Sequence, residues 1–462
     1  MKSLLKTTTA SAALAAALSV SPIALLAQEA ATDDAATAAP ATGDAAAQDT
    51  MTAQDATGAA DTTGDTMTAD ASMAADAMAA GEVANPPDQP NEQMQAVLDK
   101  LQELGAPPIG TVSVEEQRAA PEPADAVMAV MQDQGIEMPA ELAAIKTRDV
   151  TYPAGDGSQQ PARVYTPDGE GPFPLIVYFH GGGWVIADID SYDASARALS
   201  AGADAVVVSV EYRHAPENPF PAAHEDANAA FDYFVENSGD LNADTERLAV
   251  AGESAGGNLA FDVAVHARDN QLTPIDHMLL VYPVAGKDMT TPSYTTYADA
   301  QPLSKMAMEW FVKNVFTDPS QAADPRIDLV NRDDLQGLPP ATIVNAEIDP
   351  LQSEGEILAQ NLQQAGVEVH QMTYPGVTHE FFGMGAVVPT AKEAEDFAIA
   401  DLRAAFGAEA AQPATADATT GEVSDVEATA AEAPDAMTGD DAAQAEGTAE
   451  PVEEGTATDT GN

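Results

Sequence analysis

The chain has 462 residues, 75 of them Asp or Glu against 18 Lys or Arg, for a formal net charge of −57, and it contains no cysteine. A surface of that sign repels phosphate backbones and anionic lipid, which argues against nucleic-acid and polybasic membrane binding. Without cysteine there is no disulfide, no thiolate metal site and no lipid-modified cysteine anchor.

Residues 1–27 read as an address. Lys2 and Lys6 precede an apolar run over 12–27, and the small residues Ala24 and Ala27 come just before the polar Gln28. That is the layout of a signal peptide cleaved near Ala27. Export to the periplasm or the exterior is therefore expected. The run is short for a membrane anchor and is interrupted by Ser19, Ser21 and Pro22, so no membrane span is expected after cleavage. Residues 28–85 carry 11 acids, residues 408–462 carry 14, and neither stretch has a Lys or Arg. Both are poor in aromatic and β-branched aliphatic side chains. They cannot bury enough apolar surface to offset ordering entropy, which predicts disordered tails. The remainder, from about 86 to 407, suffices for one large core with a small cap.

Residues 86–145 predict a helical cap. Met94, Val97, Leu98, Leu101 and Leu104 recur at helical spacing, and Gly105 stands where that helix would stop. Ser113 followed by Glu116 matches a capping box, and residues 126–131 suit a third helix. Residues 146–407 then alternate strand and helix. Segments 149–152 and 162–165 read as a hairpin. Segments 175–179, 205–210, 248–251, 278–282 and 341–344 are nearly unbroken apolar runs, and 367–373 alternates. Continuous apolar runs mean strands covered on both faces. The prediction is an α/β fold, a mostly parallel sheet of about eight strands with helices on both faces. In such sheets chemistry gathers at the carboxyl ends of the strands.

Two motifs sit there. Gly252-Glu253-Ser254-Ala255-Gly256 follows one apolar run and precedes a helical stretch. Glycines two residues either side of a serine permit a sharp strand-to-helix turn that pushes the hydroxyl out over the sheet edge, so Ser254 is a candidate nucleophile. His180-Gly181-Gly182-Gly183-Trp184 ends another run. Its glycines expose backbone N–H groups. With the Ala255 N–H at a helix start, those of Gly182 and Gly183 are suited to hold a developing oxyanion. A phosphate cradle is the alternative, but it lacks its lysine.

In order and spacing these motifs resemble the hormone-sensitive-lipase-like family of bacterial esterases, which are α/β-hydrolases, over about residues 90–405. Tyr212-Arg213-His214-Ala215-Pro216-Glu217, Phe220-Pro221-Ala222-Ala223 and Asp226 resemble that family's loop and helix after the fourth strand. The tails have no counterpart. The resemblance implies a triad in the order serine, acid, histidine, and only His266, His277, His370 and His379 follow Ser254. His266 lies in the helix leaving the elbow, His277 precedes any suitable acid, and His370 is held in the pleat of the eighth strand. His379 follows Tyr374-Pro375-Gly376, read as a turn just past that strand, and is assigned as general base. Asp349, with Pro350 and Leu351, resembles the family's acid motif, and Glu347 is the alternative on reach. The family has glycine after its histidine. Here Glu380 follows His379, and its carboxylate is expected to raise the histidine's pKa.

With export expected from residues 1–27, the resemblance implies that the exported protein is a serine esterase acting on a small-molecule ester of short to medium acyl chain, with no metal and no cofactor. Trp184, beside the glycine loop, and Met306, Met308, Trp310, Phe311 and Phe316, between the sixth and seventh strands, are candidate pocket walls, with plain core as the alternative. An amidase, lactonase or carbamate hydrolase would use the same triad, and a non-catalytic ligand-binding relative is a further reading. The sequence does not set the oligomeric state.

Overall fold

A computed structural model describes residues 89–407. The expectations for 1–27, for 28–85 and for 408–462 lie outside the described residues.

Four helices come first: α1 (Glu92–Glu103), α2 (Val114–Arg118), α3 (Pro123–Gln134) and α4 (Ala140–Ala143). Asn91 caps α1 by accepting the Met94 N–H at 2.8 Å, and Gly105 follows its end in a left-handed conformation. Ser113 and Glu116 form the expected capping box on α2. Pro123 opens α3 and Gly135, also left-handed, stops it. Met94, Val97, Val130 and Met131 are buried in one cluster with Phe381 and Phe382 from beyond the last strand. The N-terminal helices therefore share the main core and have none of their own.

Eight strands form one sheet: β1 (Lys146–Pro153), β2 (Gln159–Thr166), β3 (Phe173–Phe179), β4 (Val206–Val210), β5 (Ala243–Glu253), β6 (His277–Val281), β7 (Ala341–Ile348) and β8 (Val369–Thr378). Their spatial order is β1-β2-β4-β3-β5-β6-β7-β8. The β1–β2 hairpin joins β4 antiparallel, and every pairing from β4 through β8 is parallel. The crossovers supply α5 (Asp193–Ala203), α6 (Ala222–Glu236), α7 (Ala255–Asp269), α8 (Pro292–Thr296), α9 (Lys305–Val315) and α10 (Gln352–Gln364), and α11 (Pro389–Ala405) follows β8. Along β3, Leu175, Val177 and Phe179 enter the layer formed with α6, α7, α9 and α10. Ile176 and Tyr178 enter the opposite layer, with α5, α11, α1 and α3. That two-residue alternation with both faces covered explains the unbroken apolar runs. No helix among the described residues is long and apolar enough to cross a membrane.

One boundary differs from expectation. Tyr374-Pro375-Gly376 is not a turn past β8, which runs on to Thr378. Ala346 pairs with Tyr374 and Ile348 with Thr378, so three residues of β8 oppose one of β7. Such a bulge absorbs a proline that cannot donate to the ladder, and it bends the strand end that carries His379. After β4, Arg213 donates to both oxygens of the buried Asp226 at 2.7 and 2.8 Å. Asp226 also accepts the Gly155 and Arg213 N–H groups, which ties α6 to the hairpin and to the loop after β4.

Candidate active site

Ser254 is the whole of the turn between β5 and α7. Its φ of 57° and ψ of −118° lie where an L-residue is strained. The backbone is held there by its N–H donating to Val281 O at 2.9 Å, and by its carbonyl accepting from Asn258 and Val284. The flanking glycines permit the turn by close approach: a Cβ on Gly256 would lie 2.0 Å from Phe179 O, and one on Gly252 2.1 Å from Gly256 O.

Ser254 Oγ lies 2.9 Å from His379 Nε2, and His379 Nδ1 lies 2.7 Å from Asp349 Oδ2. A carboxylate oxygen only accepts, so the proton sits on Nδ1 and Nε2 is left to accept from the serine hydroxyl. All three side chains are buried. The second oxygen of Asp349 accepts the Leu351 N–H at 2.9 Å, which fixes the carboxylate. Burial pushes the His379 imidazole down, but Asp349 and then Glu380 outweigh it and leave its pKa above the ordinary value. The other candidates are engaged elsewhere. Glu347 accepts the Gly376 N–H at 2.7 Å, His370 pairs with Asp401, His266 with Asp232, and His277 with Thr342.

The glycine loop rests on this elbow. The Cβ imagined on Gly256 would also lie 2.5 Å from His180 O, and one on Gly181 3.1 Å from Glu253 O. Gly182 and Gly183 have φ of 89° and 59°, and among the described residues no hydrogen bond engages their N–H groups or that of Ala255. Tyr212 braces the loop by bringing its hydroxyl within 2.9 and 3.0 Å of the carbonyls of His180 and Gly181.

A cavity of about 1090 Å³ reaches Gly182, Glu253 and Glu380 at one end and Leu98, Val127 and Met131 of the N-terminal helices at the other. Trp184, Met306 and Trp310 do not border it. Trp184 is buried with its ring 5.7 Å from that of His224. Met306 is 48 % exposed, and Trp310 packs on Gly110. Met308, Phe311 and Phe316, from the same stretch, also lie off the cavity and are buried in the core, where Phe311 abuts Gly183.

Two acids border the cavity beside the triad. Glu253 accepts from Tyr178 at 2.6 Å and from Tyr282, and burial pushes its pKa up to about 7. Glu380, at φ 73°, accepts from Tyr192 at 2.6 Å and places Oε1 3.8 Å from His379 Nε2. Only its position after the histidine signalled Glu380 in the sequence. Nothing signalled Tyr192 or the two tyrosines on Glu253.

Comparison with known proteins bears on this arrangement. A family described by its α/β-hydrolase fold matches residues 176–383. Carboxylesterase NlhH of Mycobacterium tuberculosis is 40% identical over 270 residues, 57% of this chain and 83% of that protein. The chain belongs to the hormone-sensitive-lipase-like α/β-hydrolase family. Another relative, ethyl acetate hydrolase of Pseudomonas putida, is 35% identical over 53% of this chain and 78% of its own. The crystal structure of a thermostable esterase from Pseudomonas putida superposes with a TM-score of 0.63 at 31% identity, covering 71% of this chain and all of that one. Membership in the α/β-hydrolase family accounts for the sheet order and for the two glycine motifs beside one another at its centre.

Proposed function

We propose that this chain is a serine esterase acting on carboxylic esters of short to medium acyl chain. Ser254 Oγ attacks the ester carbonyl as His379 Nε2 takes its proton. Asp349 holds the imidazole in the tautomer that can accept that proton and stabilises the imidazolium. The N–H groups of Gly182, Gly183 and Ala255 stabilise the tetrahedral oxyanion. His379 then protonates the departing alcohol, and water releases the acyl group from Ser254.

The observation that carries this reading is the hydrogen-bonded chain from Ser254 through His379 to Asp349, at 2.9 and 2.7 Å. The names of the relatives favour an ester bond, and ethyl acetate hydrolase favours a small acyl group. Ser254→Ala should lower kcat on a short p-nitrophenyl ester by at least about 10³-fold and abolish labelling by a fluorophosphonate probe. Near-full activity in that variant would overturn the mechanism. A panel of esters of graded acyl length, with amide and lactone counterparts, tests the bond and the chain length. Export rests on the residue pattern of 1–27, and intact-mass measurement of exported protein tests it by the loss of those residues.

A further inference from the structure

Beside the glycine loop three side chains converge that the hydrolysis does not use. His180 follows β3, and Glu211 and His214 come from the loop after β4. One ligand atom from each lies within 4.8 Å of the other two. His180 Nε2 is 3.5 Å from Glu211 Oε1, and His214 Nε2 is 3.1 Å from the same oxygen. Among the described residues neither ring nitrogen has a hydrogen-bond partner, although both are buried.

The tautomer of His180 sharpens the point. Its Nδ1 is 2.9 Å from Gly181 O, and a carbonyl only accepts, so Nδ1 holds the hydrogen. In its neutral form the ring aims a lone pair from Nε2 at a carboxylate oxygen, two acceptors facing across a buried gap; in its protonated form, which Glu211 favours, it makes an ion pair. A metal ion between them would take the place of that proton. Tetrahedral arms of about 2.0–2.1 Å put neighbouring ligand atoms about 3.3–3.4 Å apart, close to the two separations from Glu211, while the two histidine nitrogens lie within 4.8 Å of each other. A backbone carbonyl on the far nitrogen is also how metal-binding histidines are oriented. His180 is fully buried, whereas the side chains of His214 and Glu211 are 18% and 16% exposed.

We propose that His180, Glu211 and His214 bind one divalent transition-metal ion of the zinc class. Two imidazoles and one carboxylate suit that class over magnesium or calcium. The ion would tie the loop at 180–183 to the loop at 211–217. The second loop is already fastened to α2, because Arg118 donates to Ala215 O and to Glu217. The proposal does not depend on the esterase reading, and hydrolysis by the triad does not require the ion.

Cobalt(II) chloride titrated into the purified full chain tests it. One equivalent should give the intense visible band of tetrahedral cobalt, bleached by zinc, while surface carboxylates give only the weak octahedral spectrum. The band should persist in Ser254→Ala and His379→Ala, which excludes the triad as its source. His214→Leu should weaken zinc binding by at least about 100-fold, and Glu211→Gln should do the same. Zinc should raise the melting temperature of the parent protein but not of His214→Leu. Circular dichroism checks that each variant folds, with His214→Gln as the substitute if leucine fails. No intense band, or an equal band in folded His214→Leu, overturns the site and leaves a histidine–carboxylate pair sharing only a proton.

Discussion

His379 works between two carboxylates of different geometry. Asp349 sits on Nδ1 at 2.7 Å and orients the ring, whereas Glu380 stands 3.8 Å from Nε2, the nitrogen that must take the proton. Both favour the imidazolium, which is why the pKa lies above the ordinary histidine value despite burial. A general base must be neutral, so kcat/KM rises as pH climbs through that pKa. Removing the charge with Glu380→Gln should move the acid limb to lower pH. Glu380→Gly, which suits the φ of 73°, should do likewise, and a limb that stays put or moves up would refute this role. Glu253 and Glu380 also border the cavity. An ester bearing a carboxylate should therefore show kcat/KM at least about 10-fold below its neutral isostere. Competition assays should show that gap narrowing in Glu380→Gln.

At the scale of elements, the site depends on three backbones meeting closely at the elbow. The Cβ of an alanine at 256 would lie 2.0 Å from Phe179 O, and a backbone oxygen of a central strand has nowhere to go. Gly256→Ala should displace the β5–α7 turn from the glycine loop and cost at least about 100-fold in kcat/KM, measured on a short ester. The loop after β4 is secured by the buried Asp226 against Arg213. Truncating one partner of such a pair strands the other charge, so Asp226→Ala should lose about 3–5 kcal/mol in urea unfolding. A loss under about 1 kcal/mol would mean that the pair is not what holds α6 in place.

Across the whole molecule, several buried groups titrate away from their ordinary values, and they set a pH window for stability. Burial pushes Glu253 up to about 7 and both Glu354 and Glu395 up to about 8. The folded state keeps protons that the unfolded chain sheds above about 4.5, so each of these loses stability as pH rises toward its folded pKa. His277, pushed down to about 4 by burial, and His224, also lowered by burial, act oppositely, but only up to the unfolded histidine value near 6.5. Between pH 6.5 and 8 nothing from those two histidines opposes Glu354 and Glu395. The melting temperature at constant ionic strength should therefore fall across that range. A melting temperature that rises from pH 6.5 to 8 would contradict the buried, protonated state of these glutamates.

Local pattern determined much of this protein. Apolar runs marked five of the eight strands, a hairpin reading marked β1 and β2 and alternation marked β8; Ser113 and Glu116 marked the start of α2, and the glycine spacing both the Ser254 elbow and the loop at 180–183, because these depend on residues a few positions apart. Motif order narrowed the base to His379 and the acid to Asp349 over Glu347. Only the tertiary structure decided that those two side chains meet each other and Ser254, since they come from the ends of β8, β7 and β5. It also decided that β8 bulges through Pro375 where a turn was expected, that Trp184, Met306 and Trp310 lie off the cavity, and that Tyr192 reaches Glu380. Those outcomes depend on which segments pack together across the sheet, and hydrophobic periodicity carries no record of that.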